Sequence, residues 1–78
     1  MLGAYIVRVV PDRAAYRAGI RAGDVITGFN ERPVFVFEDL QGMVRSSSVG
    51  EIVELNIMRE GESIVKQVEL MYTAIDNF

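Results

Sequence analysis

The chain of 78 residues contains no cysteine, no histidine and no tryptophan, and only two prolines. Without cysteine there is no disulfide, no zinc–thiolate site and no thiol nucleophile. Without histidine the commonest general base and the commonest metal ligand are missing. Basic residues are also scarce: eight lysines and arginines against eleven aspartates and glutamates leave a net charge of −3. A mildly acidic chain with no basic cluster is a poor nucleic-acid binder. No apolar run approaches the ~20 residues of a membrane span. No cationic start followed by a hydrophobic stretch marks a signal peptide. Half of the residues are hydrophobic and 24% are charged, which excludes a disordered segment. At this length the chain forms one domain, and it needs an efficient core because small domains bury a smaller share of their surface. Recognition of protein or peptide is therefore the leading class before any motif is read, and no cofactor is expected.

Ala4 to Val10 (A-Y-I-V-R-V-V) is β-branched and aromatic, which predicts a strand. Pro11-Asp12 ends it, since proline removes a ladder donor and favours a turn. Arg13 to Ala18 is alanine-rich and predicts a short helix, closed by Gly19. Asp24 to Phe29 predicts a second strand, Asn30 to Pro33 a turn, and Val34-Phe35 a short edge strand. From Glu38 to Arg45, Leu40 and Val44 follow Phe37 at helical spacing. Acidic Glu38 and Asp39 in the first turn and Arg45 in the last suit the helix dipole. Ser46 to Gly50 is a loop. Glu51 to Arg59 and Ser63 to Leu70 alternate as strands about a Glu60-Gly61 turn, a hairpin. The predicted core is Ile6, Val9, Ile20, Val25, Ile26, Leu40, Val53, Leu55, Ile57 and Val68. The expected fold is mainly β with two α-helices (α+β): a partly open antiparallel β-barrel or sandwich capped by helices.

Residues 3–26, G-A-Y-I-V-R-V-V-P-D-R-A-A-Y-R-A-G-I-R-A-G-D-V-I, resemble a PDZ domain. The resemblance rests on a glycine-led strand, Pro11, the small Ala14-Ala15, Ala18-Gly19-Ile20 and Gly23-Asp24-Val25-Ile26. Asn30 stands at the family's hydrophobic-Asn-Gly turn, and Arg59-Glu60-Gly61 resembles the turn of its last hairpin. Ending on a hairpin after the main helix is similar to the bacterial permuted arrangement of HtrA-type serine proteases, site-2 proteases and secretion proteins.

The resemblance assigns residues 1–70 to the domain and 71–78 to a tail. It implies a module that binds hydrophobic C-terminal or extended peptides by strand addition. The parent protein would be a periplasmic or membrane-anchored extracytoplasmic protease or secretion protein. Groove-facing positions would be Tyr5 and Val7 on the strand and Phe37, Gln41 and Val44 on the helix. Phe37 and Val44 also suit an ordinary core. Gly19, Gly23 and Asp24 would be structural turn residues, with Asp24 a scaffold residue rather than an acid.

The family's carboxylate-binding loop and groove strand lie ahead of the residues matching Gly3-Ala4-Tyr5, where this sequence has Met1 and Leu2. They are expected to be missing unless Leu2-Gly3-Ala4 imitates the loop. The tail, which leaves the sheet near that vacant edge and ends in apolar Phe78, is expected to lie along it, in its own molecule or, on grounds of reach, in a neighbour's, with a frayed terminus as the alternative. Self-association through residues 71–78 would follow. A docking domain with no open groove is the alternative function. Catalysis is disfavoured: Ser46-Ser47-Ser48 have no histidine or cysteine to work with and only distant Lys66 as a base.

Overall fold

The computed structural model describes residues 2–71 and 77–78. In chain order the elements are β1 (Ala4–Tyr5), α1 (Ala14–Arg17), β2 (Val25–Phe29), β3 (Arg32–Pro33), α2 (Phe37–Arg45), β4 (Ile52–Arg59) and β5 (Glu62–Glu69). The strands form one open antiparallel sheet in the order β1-β2-β4-β5, with β3 pairing against β2. The expected antiparallel α+β architecture is present.

Alternation builds the longest ladder. Val53, Leu55 and Ile57 point inward and are buried, while Glu54, Asn56 and Met58 between them are half-exposed. β5 runs back in unbroken register from Arg59↔Glu62 to Ile52↔Glu69. Glu60 and Gly61, at φ 50° and 82°, form the two-residue turn. Positive φ at both central residues matches the twist of the flanking strands. Asn30 and Glu31 do the same between Phe29 and Arg32, at φ 49° and 68°. Asn30 also secures the turn to β4: its N–H donates to the Glu54 carbonyl and its Oδ1 accepts from the Glu54 N–H, each at 2.8 Å.

The helices close through backbone chemistry. After α1 the Gly19 N–H donates to the Tyr16 carbonyl and the Ile20 N–H to the Ala15 carbonyl, both at 3.0 Å. This paired closure places Gly19 in the left-handed region, at φ 88°. At the start of α2, Asp39 Oδ2 accepts from the N–H groups of Phe35 and Val36 at 3.0 and 3.3 Å. The carboxylate thus satisfies donors at the positive end of the helix.

Several boundaries differ from expectation. The strand expected over 4–10 keeps ladder pairing only at Ala4 and Tyr5, opposite Ile26 and Val25. Its partner β2 starts at Val25, so beyond Tyr5 only Ile6 reaches across, through Asp24 O and Gly23 N. The edge strand expected at Val34-Phe35 falls instead on Arg32–Pro33, because the two-residue turn fixes the pairing there. Val34 is buried in the core rather than lying on an edge. Val9 and Val25 are half-buried, whereas Ala4, Ala14, Ala15, Phe29, Val34, Val44 and Leu70 join the core. Among the described residues no helix is long and apolar enough to cross a membrane.

Candidate functional site

The approach of β1 to β2 depends on Gly3. Its φ is 153°, and a Cβ there would lie 2.6 Å from Val25 Cγ1 and 2.8 Å from the Ile26 carbonyl oxygen. Gly3 therefore permits a contact that any side chain would block. Its N–H donates to the Phe35 carbonyl at 2.8 Å, which ties the strand to the segment leading into α2.

From Tyr5 onward the chain runs along the outer edge of the sheet. The Ile6 N–H donates to Asp24 O at 2.9 Å and the Ile6 carbonyl accepts from Gly23 N at 2.8 Å. Both main-chain groups of Ile6 thus face the sheet. Strand alternation turns those of Tyr5 and Val7 the other way, toward the open edge. The side chains alternate as well: Ala4 and Ile6 are buried, while Tyr5 is 63% and Val7 77% exposed.

A cleft of about 470 Å³ opens between this edge and the first turn of α2. Tyr5, Ile6 and Val7 form one wall and Phe37 the other. Val10 and Phe78 line it further along, and Arg8 and Arg13 supply its charge. Its surface is mostly apolar, and among the described residues no acidic side chain lines it. Such a cleft accepts an apolar side chain from an extended segment while the strand edge offers main-chain hydrogen bonds.

The residues expected in a groove separate into three groups. Tyr5, Val7 and Phe37 line the cleft together. Gln41 is half-buried one turn further along α2, outside the cleft lining. Val44 is corrected: it is 2% exposed and belongs to the core. The stripe Phe37–Leu40–Val44 points at the sheet, and only its first member lies near enough to the open edge to meet the cleft. Arg8, Val10 and Arg13 were not anticipated. Their signal was the pair of arginines flanking Pro11-Asp12, which reads as ordinary turn solvation until the chain is folded.

The tail reaches the same place. Residues 72–76, which include Ile75, lie outside the described residues. Asn77 is fully buried, and its Oδ1 accepts from the Met71 N–H at 2.7 Å. The Phe78 main-chain oxygen accepts from the Val10 N–H at 2.8 Å. Of the two places expected for the tail, these two residues take the one within their own chain.

Gly23 and Asp24 belong to a separate structural cluster beside Gly19. Gly23 turns the chain at φ 93°, and its N–H is the donor to Ile6. Asp24 is 1% exposed. It accepts from Arg59 Nε at 2.9 Å, from Arg59 Nη2 at 2.8 Å and from the Arg21 N–H at 2.9 Å. Arg59 Nη2 also donates to the Gly19 carbonyl at 2.8 Å. The Arg59 hydrogen bonds hold the Asp24 carboxyl below its ordinary range, against the opposing effect of burial, with further help from the Arg21 N–H and the nearby positive charges. The same pairing raises Arg59. A fork-to-fork ion pair thus clamps the loop at 18–24 onto the β4–β5 hairpin. Among the described residues no group of three or more acidic residues is placed to hold a metal ion.

An open antiparallel sheet flanked by two short helices, with a cleft between an edge strand and the longer helix, is the architecture of a small protein-interaction domain. The chain belongs to the PDZ domain family, whose model matches residues 1–70. It is similar to the periplasmic serine endoprotease DegP of Salmonella typhimurium, at 39% identity over 72 residues. That match covers 92% of this chain and 15% of the relative. It is also similar to the periplasmic pH-dependent serine endoprotease DegQ of Escherichia coli, at 32% identity over 68 residues, which are 87% of this chain and 15% of that one. The chain therefore spans about a seventh of these relatives' length. Among solved structures, the PDZ domain of an SdrC-like protein from Listeria monocytogenes superposes with a TM-score of 0.81 at 22% identity, covering 91% of this chain and 74% of that one. The HtrA-type protease AlgW with a decapeptide superposes with a TM-score of 0.79 at 22% identity, covering 83% of this chain and 20% of that one. The chain is a PDZ domain related to HtrA-type proteases.

Proposed function

We propose that this domain binds an extended protein segment along Tyr5 to Val10 and takes one of its apolar side chains into the cleft against Phe37. The observation that carries the reading is the juxtaposition of an outward-facing strand edge with an apolar cleft closed by the first turn of α2. A structural neighbour solved with a decapeptide supports a peptide as the partner. The relatives are named periplasmic proteases, which supports a regulatory role in an extracytoplasmic protease. Within these residues the work is recognition rather than catalysis.

The test is titration of the isotopically labelled domain with peptides that end in an apolar residue, followed by backbone amide shifts. Shifts at Tyr5 to Val10 and Phe37, with weak affinity of about micromolar or poorer, are the expected result. The reading assigns the contacts to the edge main chain and to the apolar cleft, and neither needs a terminal carboxylate. Amidating the peptide should therefore change little. Tight binding that disappears on amidation would refute this account of the site. A docking domain without a usable groove would show no such shifts.

A further inference from the structure

The cleft already has an occupant. Phe78 is half-buried, packs against the core and forms part of the cleft lining. Its main-chain oxygen takes the N–H of Val10, a residue that itself lines the cleft. One residue earlier, fully buried Asn77 accepts from the N–H of Met71. The segment is thus held at both the point where the chain leaves β5 and the point where it reaches the edge. It combines a main-chain hydrogen bond to a cleft-lining residue with an apolar side chain in the cleft, the space that an incoming segment would need.

We propose that Asn77–Phe78 is an internal occupant of the peptide cleft, so that an incoming segment binds only by displacing it. The proposal rests on the peptide-binding reading and adds a gate to it. A ligand that needs the vacated cleft meets a competent state that is only a fraction of the population. Its apparent affinity falls by that fraction, so a seat occupied about nine-tenths of the time weakens binding by about tenfold. Tethering favours the seat, because the segment competes at the effective concentration of an attached ligand.

The experiment uses the full chain and two variants, Phe78→Ala and Phe78→Gln. Both remove the aromatic ring and leave the backbone intact, and a thermal melt of each checks that the fold persists. Two measurements are made. The first is hydrogen exchange and chemical shift of the Val10 amide without any peptide. The second is affinity for a fluorescein-labelled octapeptide of the sequence MYTAIDNF, with amide shifts to place it.

The expected result is a protected Val10 amide in the parent chain and loss of that protection in both variants. Shift changes should be confined to Tyr5–Val10 and Phe37, and both variants should bind the octapeptide about tenfold more tightly than the parent. Equal affinity of parent and variants, with shifts mapping to the cleft, would overturn the gate and leave the peptide-binding reading standing. A Val10 amide that exchanges equally fast in all three proteins would overturn the seat itself. Failure of all three to bind, with Val10 protected in the parent, would overturn both, because the cleft would then take no peptide even with the Phe78 ring removed.

Discussion

β4 and the stretch from Ile6 to Val10 are both extended and rich in β-branched residues, yet they are held very differently. β4 is paired along its whole length to β5 and, over Leu55 to Met58, to β2. Ile6 to Val10 is joined through isolated hydrogen bonds at Ile6 and Val10. Side-chain propensity is similar in the two; the supply of neighbouring backbone is not. A strand inside the sheet has its polar groups satisfied on both sides and contributes stability. A strand at the edge keeps groups available for another chain and contributes recognition. The stabilising clamp, Asp24 with Arg59, sits on the hairpin side, whereas Tyr5, Val7 and Phe37 sit at the open edge.

The largest effect should come from truncating matched side chains in the two regions. Leu55→Ala removes a 1% exposed side chain from the centre of the sheet and should cost about 2–5 kcal/mol. Val7→Ala removes a 77% exposed one and should stay within about 0.5 kcal/mol. Denaturant melts of both variants check the contrast. Similar losses for both would mean that the edge is as structural as the hairpin.

The second effect is a pH dependence confined to the clamp. The Asp24 carboxyl is depressed below its ordinary 3.8 by the Arg59 hydrogen bonds, so the folded state binds that proton more weakly than the unfolded state. Its stabilisation is therefore complete above about pH 4 and fades as pH falls through the depressed value. Asp24→Asn loses the ionic fork and turns an amide toward the guanidinium. The variant should be less stable than the parent at neutral pH, and the two melting curves should converge on acidification below pH ~4. Parallel curves across that range would show that Asp24 does not carry the clamp.

How much could be read beforehand follows the same division. The β4–β5 hairpin was legible because alternation and the Glu60-Gly61 turn are local signals. Gly19 and α1 were legible for the same reason. The short β1 was not, because its length depends on where β2 begins, a fact of pairing rather than of residue type. Val44 was ambiguous because one helical stripe serves both core and cleft, and only the folded positions separate Phe37 at the cleft from Val44 in the core. Arg8 and Arg13 stayed hidden for lack of any local pattern: an arginine on a strand edge and one before a helix look like solvated charge.

A third, smaller effect tests the turns. Glu31 holds φ 68° without being glycine, which is costly for an L-residue with a side chain. Glu31→Gly relieves that strain, but the unfolded chain gains freedom in return. The net gain should be about 0.5 kcal/mol, read as a small rise in melting temperature, with peptide-induced shifts at Tyr5–Val10 unchanged. A loss of stability would mean that the Glu31 side chain supports the turn.

The smallest expected effect lies on the cleft rim, and it separates recognition from stability most cleanly. Arg8 is exposed and lines the cleft, and among the described residues no acidic side chain lines it alongside. An extended ligand with a carboxylate near its apolar anchor should therefore gain over a neutral one. Exposed ion pairs contribute roughly 0.2–1 kcal/mol, so Arg8→Glu, which turns attraction into repulsion, should weaken an acidic peptide about 2–10-fold. A neutral peptide of the same apolar sequence should bind both proteins alike. The difference should shrink in 1 M salt, where the screening length falls to ~3 Å. The melting temperature should hardly move, since Arg8 is an exposed side chain. Fluorescence anisotropy with the two peptides at low and high salt reads all of this. An equal loss for acidic and neutral peptides would mean that Arg8 shapes the cleft through its aliphatic stem, and that charge plays no part in what the open edge selects.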